Sequence, residues 1–258
     1  MDGYAIALVF AVLFGLAIGS FLNVLIHRVP LGNSIVAPRS SCPHCGAPIR
    51  IGDNIPILSY LMLRGKCRTC RRPISPQYPI VEALTAGLSL ALFIKFGPTL
   101  QYLLFFLFCA ALEVISVIDL HHRIIPDILS LPGILCGLAA ALLLGHVSFV
   151  SSLIGAIAGG GILLLIAFAY ERLTGRTGMG GGDIKLLAMI GAWLSAWSLP
   201  LVVLIASLSG IVTGLVFIVT SGQGLRTRIP FGPFLSLGAV IYLFFGPLIT
   251  RWYLDVLS

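Results

Sequence analysis

Residues 186–220 read LLAMIGAWLSAWSLPLVVLIASLSGIVTGLVFIVT, thirty-five positions without a charged side chain. A membrane-spanning helix needs about 20 residues, so this stretch is too long for one straight span and long enough for two. Trp197-Ser198-Leu199-Pro200 lies near its middle. Proline has no N–H to give a helix and ends or turns one, so the stretch is read as two spans joined at that break. The whole chain agrees with a lipid setting. Of 258 residues, 58% are hydrophobic and 10% charged, less than half the charged share of an ordinary soluble domain. The mean hydropathy is +1.07. This composition excludes a soluble enzyme, a disordered chain, a collagen-like chain and a secreted disulfide scaffold.

Further apolar runs extend on either side of that stretch. Residues 4–26 carry no charge, and only Asp2 precedes them, so the run is read as a span and not as a signal peptide, which would open with basic residues. Spans are also predicted over 78–96, with Glu82 and Lys95, and over 99–118, with Glu113 inside. The next is 124–144, interrupted by Pro126, Asp127 and Pro132, followed by 150–170 and 231–250. The expected fold class is an all-α polytopic membrane protein with about eight transmembrane helices. Residues 27–77 are rich in Pro, Arg, Gly and Cys and contain no run long enough to cross. The expected organisation is a first transmembrane helix at 1–26, a polar insert at 27–77 and a seven-helix region at 78–258.

Eight spans place alternate loops on one side, and basic residues mark the cytoplasmic side. The insert holds eight basic residues: Arg28, Arg39, Arg50, Arg64, Lys66, Arg68, Arg71 and Arg72. Arg123, then Arg172, Arg176 and Lys185, then Arg226 and Arg228 fall on the same side, against Lys95 and Arg251 on the other. Fourteen of 16 basic side chains therefore share one face, which predicts a cytoplasmic insert with both termini outside. The net charge of +7 accordingly reads as membrane orientation and not as a nucleic-acid surface.

Four of the six cysteines form two pairs, Cys42-Pro43-His44-Cys45 and Cys67-Arg68-Thr69-Cys70. Two intervening residues let both thiolates of a turn face one ion, and two such knuckles complete a tetrahedral zinc site. Redox pairing is the alternative, disfavoured in a reducing cytoplasm. A closed four-thiolate site has no open position for a substrate, so its expected role is to fold the insert. Zinc binding in such knuckles is worth about 10 to 16 kcal/mol. His44 reads as a solvated turn residue, and Cys109 and Cys136 as buried small hydrophobes.

Only nine acids occur, and each one near a span needs a reason. Asp119 follows the third span and Asp183 precedes the sixth, so both are expected at the cytoplasmic ends of their helices. If those helices pack together, the two carboxylates can share a proton. One can then activate water while the other protonates a peptide carbonyl. Gly178-Met179-Gly180-Gly181-Gly182-Asp183 is an approach almost free of side chains, open to a substrate backbone or a facing helix. Helix capping is the competing reading for Asp183, and pairing with Arg123 at i+4 the one for Asp119. Asp127 follows Pro126 and is either a rival for the pair or a first-turn acid at a helix start. Glu113 lies deeper, and is protonated, bonded to a neighbouring helix or in touch with substrate. His121 and His122 are adjacent and diverge on a helix, which disfavours a metal. Gly159-Gly160-Gly161 is expected to mark close helix packing.

These residues resemble the bacterial prepilin peptidases, the type IV leader peptidases of the G-x-G-D class of membrane aspartyl proteases. The resemblance runs through Gly19-Ser20-Phe21-Leu22-Asn23-Val24 with His27-Arg28, the paired C-x-x-C insert with Asp53-Asn54-Ile55-Pro56, and Pro79-Ile80-Val81-Glu82. It continues through Ile118-Asp119-Leu120, Ile125-Pro126-Asp127, the run from Gly178 through Asp183 to Ile184-Lys185, and Pro230-Phe231-Gly232-Pro233-Phe234. It implies that Asp119 and Asp183 are catalytic, with Asp127 supporting them. Gly180, Gly182, Lys185 and Glu113 complete the supporting candidates. The family cleaves basic leaders from type IV prepilins and type II secretion pseudopilins on the cytoplasmic side of the inner membrane. Many members then methylate the new N-terminal residue, usually Phe, from S-adenosylmethionine. The Cys-rich insert implies that bifunctional form. The sequence does not assign the methyl-donor site. A peptidase without methyl transfer, a proton- or cation-coupled transporter using the intramembrane carboxylates, and a zinc-scaffolded assembly protein without catalysis are the alternatives. The transporter would be expected to show an internal repeat, and no convincing one links the two halves.

Overall fold

The computed structural model describes residues 2–175, 180–221 and 230–257, without the side chains of residues 2, 51, 221, 247 and 250–257. Gly178, Met179, Arg176, Arg226 and Arg228 lie outside the described residues. The described elements are helices: α1 Asp2–Arg28, α2 Leu58–Met62, α3 Gln77–Phe96, α4 Leu100–His122, α5 Asp127–Leu144, α6 Phe149–Thr174, α7 Gly181–Leu194, α8 Leu199–Ser221 and α9 Gly232–Leu257, with short 3-10 turns between some of them. Among the described residues, six segments are long and apolar enough to cross a membrane: Gly3–Leu31, Gln77–Phe96, Leu100–His122, Asp127–Leu144, Phe149–Thr174 and Ala196–Thr220. The two further spans expected from sequence correspond to α7 and to the shorter apolar helix Gly232–Gly246. The 14 residues of α7 rise only about 21 Å, less than the ~30 Å hydrocarbon core.

The expected break inside 186–220 is present, and it starts earlier than the proline. α7 stops at Ser195, whose φ of 74° leaves the helical region, and a 3-10 turn over Ala196–Ser198 leads into α8. Pro200 then sits in the first turn of α8, where its missing N–H costs nothing. The serine, not the proline, ends the helix.

Contacts divide the chain into two units, Met1–Val114 and Ile115–Ser258, with the division inside α4. In the first unit α1 lies against α3 at backbone distance. A Cβ on Gly15 would stand 2.6 Å from the Ala86 Cα, and one on Gly19 would stand 2.8 Å from the Glu82 Cα. The approach lets the Ser89 hydroxyl donate to the Ala11 carbonyl at 2.7 Å.

In the second unit α7 is the central helix, with every residue from Leu186 to Leu194 buried. Gly155 and Gly159 of α6 let that helix press on the α7 backbone at Gly191 and Leu187. Gly133 and Gly137 do the same for α5 against Met189 and Trp193, and the Trp193 indole N–H donates to the Gly133 carbonyl at 2.9 Å. Small residues are what allow apolar helices to approach this closely. The expected packing role of Gly159-Gly160-Gly161 therefore holds at Gly159 and at Gly160, where a Cβ would stand 3.3 Å from the Ala188 Cβ, and extends to Gly155, but a Cβ on Gly161 would meet nothing. Cys109 is buried as expected, but Cys136 is exposed: the inward face of α5 is made of Gly137, Ala140 and Ala141, which leaves Cys136 on the outward one.

Candidate active site and metal centre

The second unit brings together the ends of α4, α5, α7 and α9. Asp119 is buried near the end of α4, and its Oδ2 accepts the backbone N–H of Gly232 at 3.0 Å. A Cβ at position 232 would stand 2.7 Å from that oxygen, so glycine is what lets the first turn of α9 reach the carboxylate. The alternative pairing of Asp119 with Arg123 is absent from the described contacts, because Arg123 turns away from the helix at φ 56°.

Asp183 lies in the first turn of α7, ahead of the apolar stretch. It does not cap the helix: the cap position is Gly180, and no side chain bonds there. Burial first, and the charge of Asp119 second, push the Asp183 carboxyl up to about 6, against a backbone hydrogen bond from Gly180. The charge of Asp119 thus reaches the Asp183 carboxyl, and Ile125 borders both Gly182, beside Asp183, and Gly232, whose N–H holds Asp119. Gly182 has a steric reason of its own, since a Cβ there would stand 2.8 Å from the Ile125 Cβ, whereas one on Gly181 would meet nothing within 4 Å.

Asp127 is a first-turn acid of α5, and it receives the Lys185 ammonium at 2.6 and 2.8 Å. This pair ties the start of α5 to the first turn of α7, which carries Asp183. Glu113 has other company. It sits in the first unit with its Oε2 on the Thr85 hydroxyl at 2.9 Å, six residues before Asp119 on α4. His121 and His122 diverge, with ring centroids 6.5 Å apart. The contact of Gly232 with Asp119 had no assigned role in the sequence reading. Its only signal there was the run Pro230-Phe231-Gly232-Pro233-Phe234.

In the insert, the Sγ atoms of Cys42, Cys45, Cys67 and Cys70 all lie within 4.8 Å of one another, with Cys42 and Cys70 at 3.9 Å. Four sulfurs about 2.3 Å from a tetrahedral zinc would be ~3.8 Å apart, so the residues fit that metal. The two knuckles are built alike. Cys42 N–H donates to Ala47 O and Gly46 N–H to Cys42 O; likewise Cys67 N–H donates to Arg72 O and Arg71 N–H to Cys67 O. Gly46 and Arg71 both have positive φ, 68° and 59°. This repeat is visible in the sequence as Cys42-Pro43-His44-Cys45-Gly46-Ala47-Pro48-Ile49 beside Cys67-Arg68-Thr69-Cys70-Arg71-Arg72-Pro73-Ile74. Arg68 grips Asp53 through both carboxylate oxygens, at 2.6 Å for the shortest contact, and holds its carboxyl below the usual range. His44 is exposed and close to Arg72 at 3.3 Å, a turn residue as expected.

Comparison with known proteins finds two family matches along the chain. Residues 13–96 match the Bacterial Peptidase A24 N-terminal domain, and residues 103–215 match the Type IV leader peptidase family. A prepilin leader peptidase/N-methyltransferase of Aeromonas hydrophila is 43% identical over 94% of this chain and 92% of its own length. Its namesake in Burkholderia pseudomallei is 40% identical over 96% of this chain and 87% of its own. The one in Pseudomonas aeruginosa is 40% identical over 95% and 92%. No solved structure matches. With the motifs in order along both units and full-length relatives at this identity, the chain belongs to the type IV leader peptidase family.

Proposed function

We propose that this protein is a membrane aspartyl endopeptidase that removes the leader from type IV prepilins and pseudopilins and then N-methylates the new terminus from S-adenosylmethionine. The observation that carries the peptidase reading is that Ile125 borders both Gly232, whose N–H holds Asp119, and Gly182, which precedes Asp183, so that two carboxylates 64 positions apart in sequence meet at one place and the charge of Asp119 raises the Asp183 carboxyl. In the reacting form the pair holds one proton, on Asp183. Asp119 takes a proton from water as the oxygen attacks the scissile carbonyl carbon, and Asp183 gives its proton to the carbonyl oxygen. Collapse of the tetrahedral species breaks the C–N bond: the proton taken by Asp119 goes to the leaving amine, and the hydroxyl formed from the carbonyl oxygen returns its proton to Asp183. The Gly232 N–H fixes the Asp119 carboxylate during these transfers. Asp127 and Lys185 keep α5 and α7 in register, and Gly180 and Gly182 keep the approach to Asp183 narrow.

Zinc on Cys42, Cys45, Cys67 and Cys70 would be structural and would organise the insert at 27–77, leaving the peptidase centre to 78–258. The insert and the catalytic face lie in the cytoplasm and both termini in the periplasm. The support is the distribution of basic residues, and the arrangement suits a substrate whose apolar helix is in the bilayer and whose basic leader is outside it.

The test is leader removal in cells that make a prepilin. Asp119→Asn and Asp183→Asn are each expected to abolish conversion of precursor to mature pilin while the protein accumulates in the membrane. Full conversion by either variant would remove the pair from catalysis. Mass spectrometry of mature pilin should show an added mass of roughly one methylene on the N-terminal residue; an unmodified terminus would leave a peptidase alone.

A further inference from the structure

The first unit contains two buried carboxylates that the peptidase chemistry does not use. Glu82 and Glu113 are 7% and 9% exposed, and neither forms an ion pair among the described residues. Glu82 of α3 accepts the Ile57 N–H at 2.7 Å and a hydrogen bond from Ser20 of α1. One turn along the same face, the Thr85 hydroxyl reaches Glu113 of α4 at 2.9 Å. Residues three apart on a helix are neighbours, roughly 5 to 6 Å between Cβ atoms, so both carboxylates border one seam between α1, α3 and α4.

The seam is incomplete in a specific way. Glu113 Oε1 and Asn23 Oδ1 are buried without a hydrogen-bond partner, although Asn23 is 4% exposed and its amide nitrogen bonds Gly19 O and Tyr78 O. Both orphaned atoms are acceptors. Buried acceptors without donors cost free energy, and uncompensated acids in a bilayer mark function. What would satisfy the Glu113 oxygen is a group with positive charge and several N–H donors, and Asn23 Oδ1, beside Tyr78, offers it a second acceptor nearer the insert. A primary ammonium has three such donors, whereas a sulfonium has a charge and no donor. Ile57 adds a second sign of a built site, because this β-branched residue is held at φ 59° with its N–H on Glu82, a strained conformation of the kind that clusters at functional positions.

We propose that the Glu82–Glu113 seam binds the α-ammonium of a cleaved pilin and prepares it for methyl transfer, with Asn23 one turn toward the insert on the way in. The inference rests on the methyltransferase half of the proposed function. The ammonium gives one proton to the Glu113 carboxylate. The freed amine lone pair attacks the methyl carbon of a methylsulfonium donor, and the C–S bond breaks with its electron pair staying on sulfur. The product is a secondary ammonium and a neutral thioether, and Glu113 returns its proton to water.

The experiment uses the full-length protein in nanodiscs and a mature pilin N-terminal peptide, with its amine free or acetylated. The wild type is expected to bind the free amine at least tenfold more tightly, and Glu113→Gln and Glu82→Gln to erase that preference. Equal wild-type affinity for the two peptides overturns the proposal, whatever the variants do. In turnover with S-adenosylmethionine, the variants should raise KM for the peptide at least tenfold and leave KM for the donor within about twofold; the opposite split would place the methyl donor here, through its own ammonium or its sulfonium, and overturn the proposal as well. A wild type that binds the free amine selectively but transfers no methyl group would defeat the methyltransferase reading and not the ammonium site.

Discussion

The backbone N–H of Gly232 donates to Asp119 Oδ2 at 3.0 Å, joining positions 113 residues apart. This contact depends on the absence of a side chain, since a Cβ would stand 2.7 Å from the same oxygen. Gly232→Ala is expected to push the carboxylate off its donor at a cost of about 1 to 3 kcal/mol, or roughly 5- to 150-fold in turnover. Steady-state cleavage of a prepilin peptide measures it. Wild-type turnover with an alanine there would mean that the N–H has no part in the reaction.

The three glycines before Asp183 are not equivalent. Gly182→Ala would drive a methyl group against Ile125, whose Cβ lies 2.8 Å away, while Gly181→Ala meets open space. Leader removal should fall at least tenfold in the first variant and stay within about twofold in the second. Equal effects would assign the run to chain flexibility instead of close packing.

Asp183 also makes a prediction about stability. Its carboxyl is raised from 3.8 to about 6 in the folded protein, so the folded state binds a proton more tightly than the unfolded chain does. Below about pH 4 both states are protonated and the shift has no effect. Above about pH 6 the folded state holds the ionised form at a penalty of up to about 3 kcal/mol. Asp183→Asn should therefore raise Tm at pH 7.5, with the gain fading between pH 6 and 4. A lower Tm at pH 7.5 would show that the carboxylate stabilises the fold.

Much of this arrangement was legible in the sequence because lipid makes polar residues rare. With nine acids in 258 residues, Asp119 and Asp183 stood out without any structure, and cysteine spacing alone gave the four-sulfur cluster. The partner of Asp119 was not legible, because it is a backbone N–H, and backbone donors are the same at every residue. The end of α7 was missed by a few residues for a related reason. Proline advertises a break, but Ser195 ends the helix through its φ of 74°, which tertiary packing sets and no residue type announces. Cys136 was misplaced because an apolar helix in lipid has no polar face to show which side points inward.

The ion pair of Lys185 with Asp127 is short, at 2.6 Å, but its side chains are 38% and 57% exposed. Exposed pairs contribute about 0 to 1 kcal/mol, so Lys185→Met should change Tm by no more than a few degrees. Its effect on cleavage should be larger, because the pair sets the first turn of α7 against α5. A double-mutant cycle with Asp127→Asn, read as kcat/KM, should show non-additive losses. Additive losses would separate the two residues functionally.

The zinc centre is linked to the buried seam of the first unit by a traceable route. The second knuckle carries Arg68, Arg68 grips Asp53, and the turn containing Asp53 leads through Ser59, bonded to Gly52 O and to the Ile55 N–H, to Ile57 and its bond with Glu82. The insert has few buried apolar side chains, so the metal would have to supply most of what fixes this route. Metal analysis should find one zinc per chain in the wild type and little in Cys45→Ser or Cys67→Ser. Stripping zinc with a strong chelator should expose the insert to protease, and pilin methylation should fall before cleavage does, since Glu82 depends on the insert while Asp119 and Asp183 are held by contacts within residues 115–258. Simultaneous loss of both activities at every stage of zinc removal would contradict that separation.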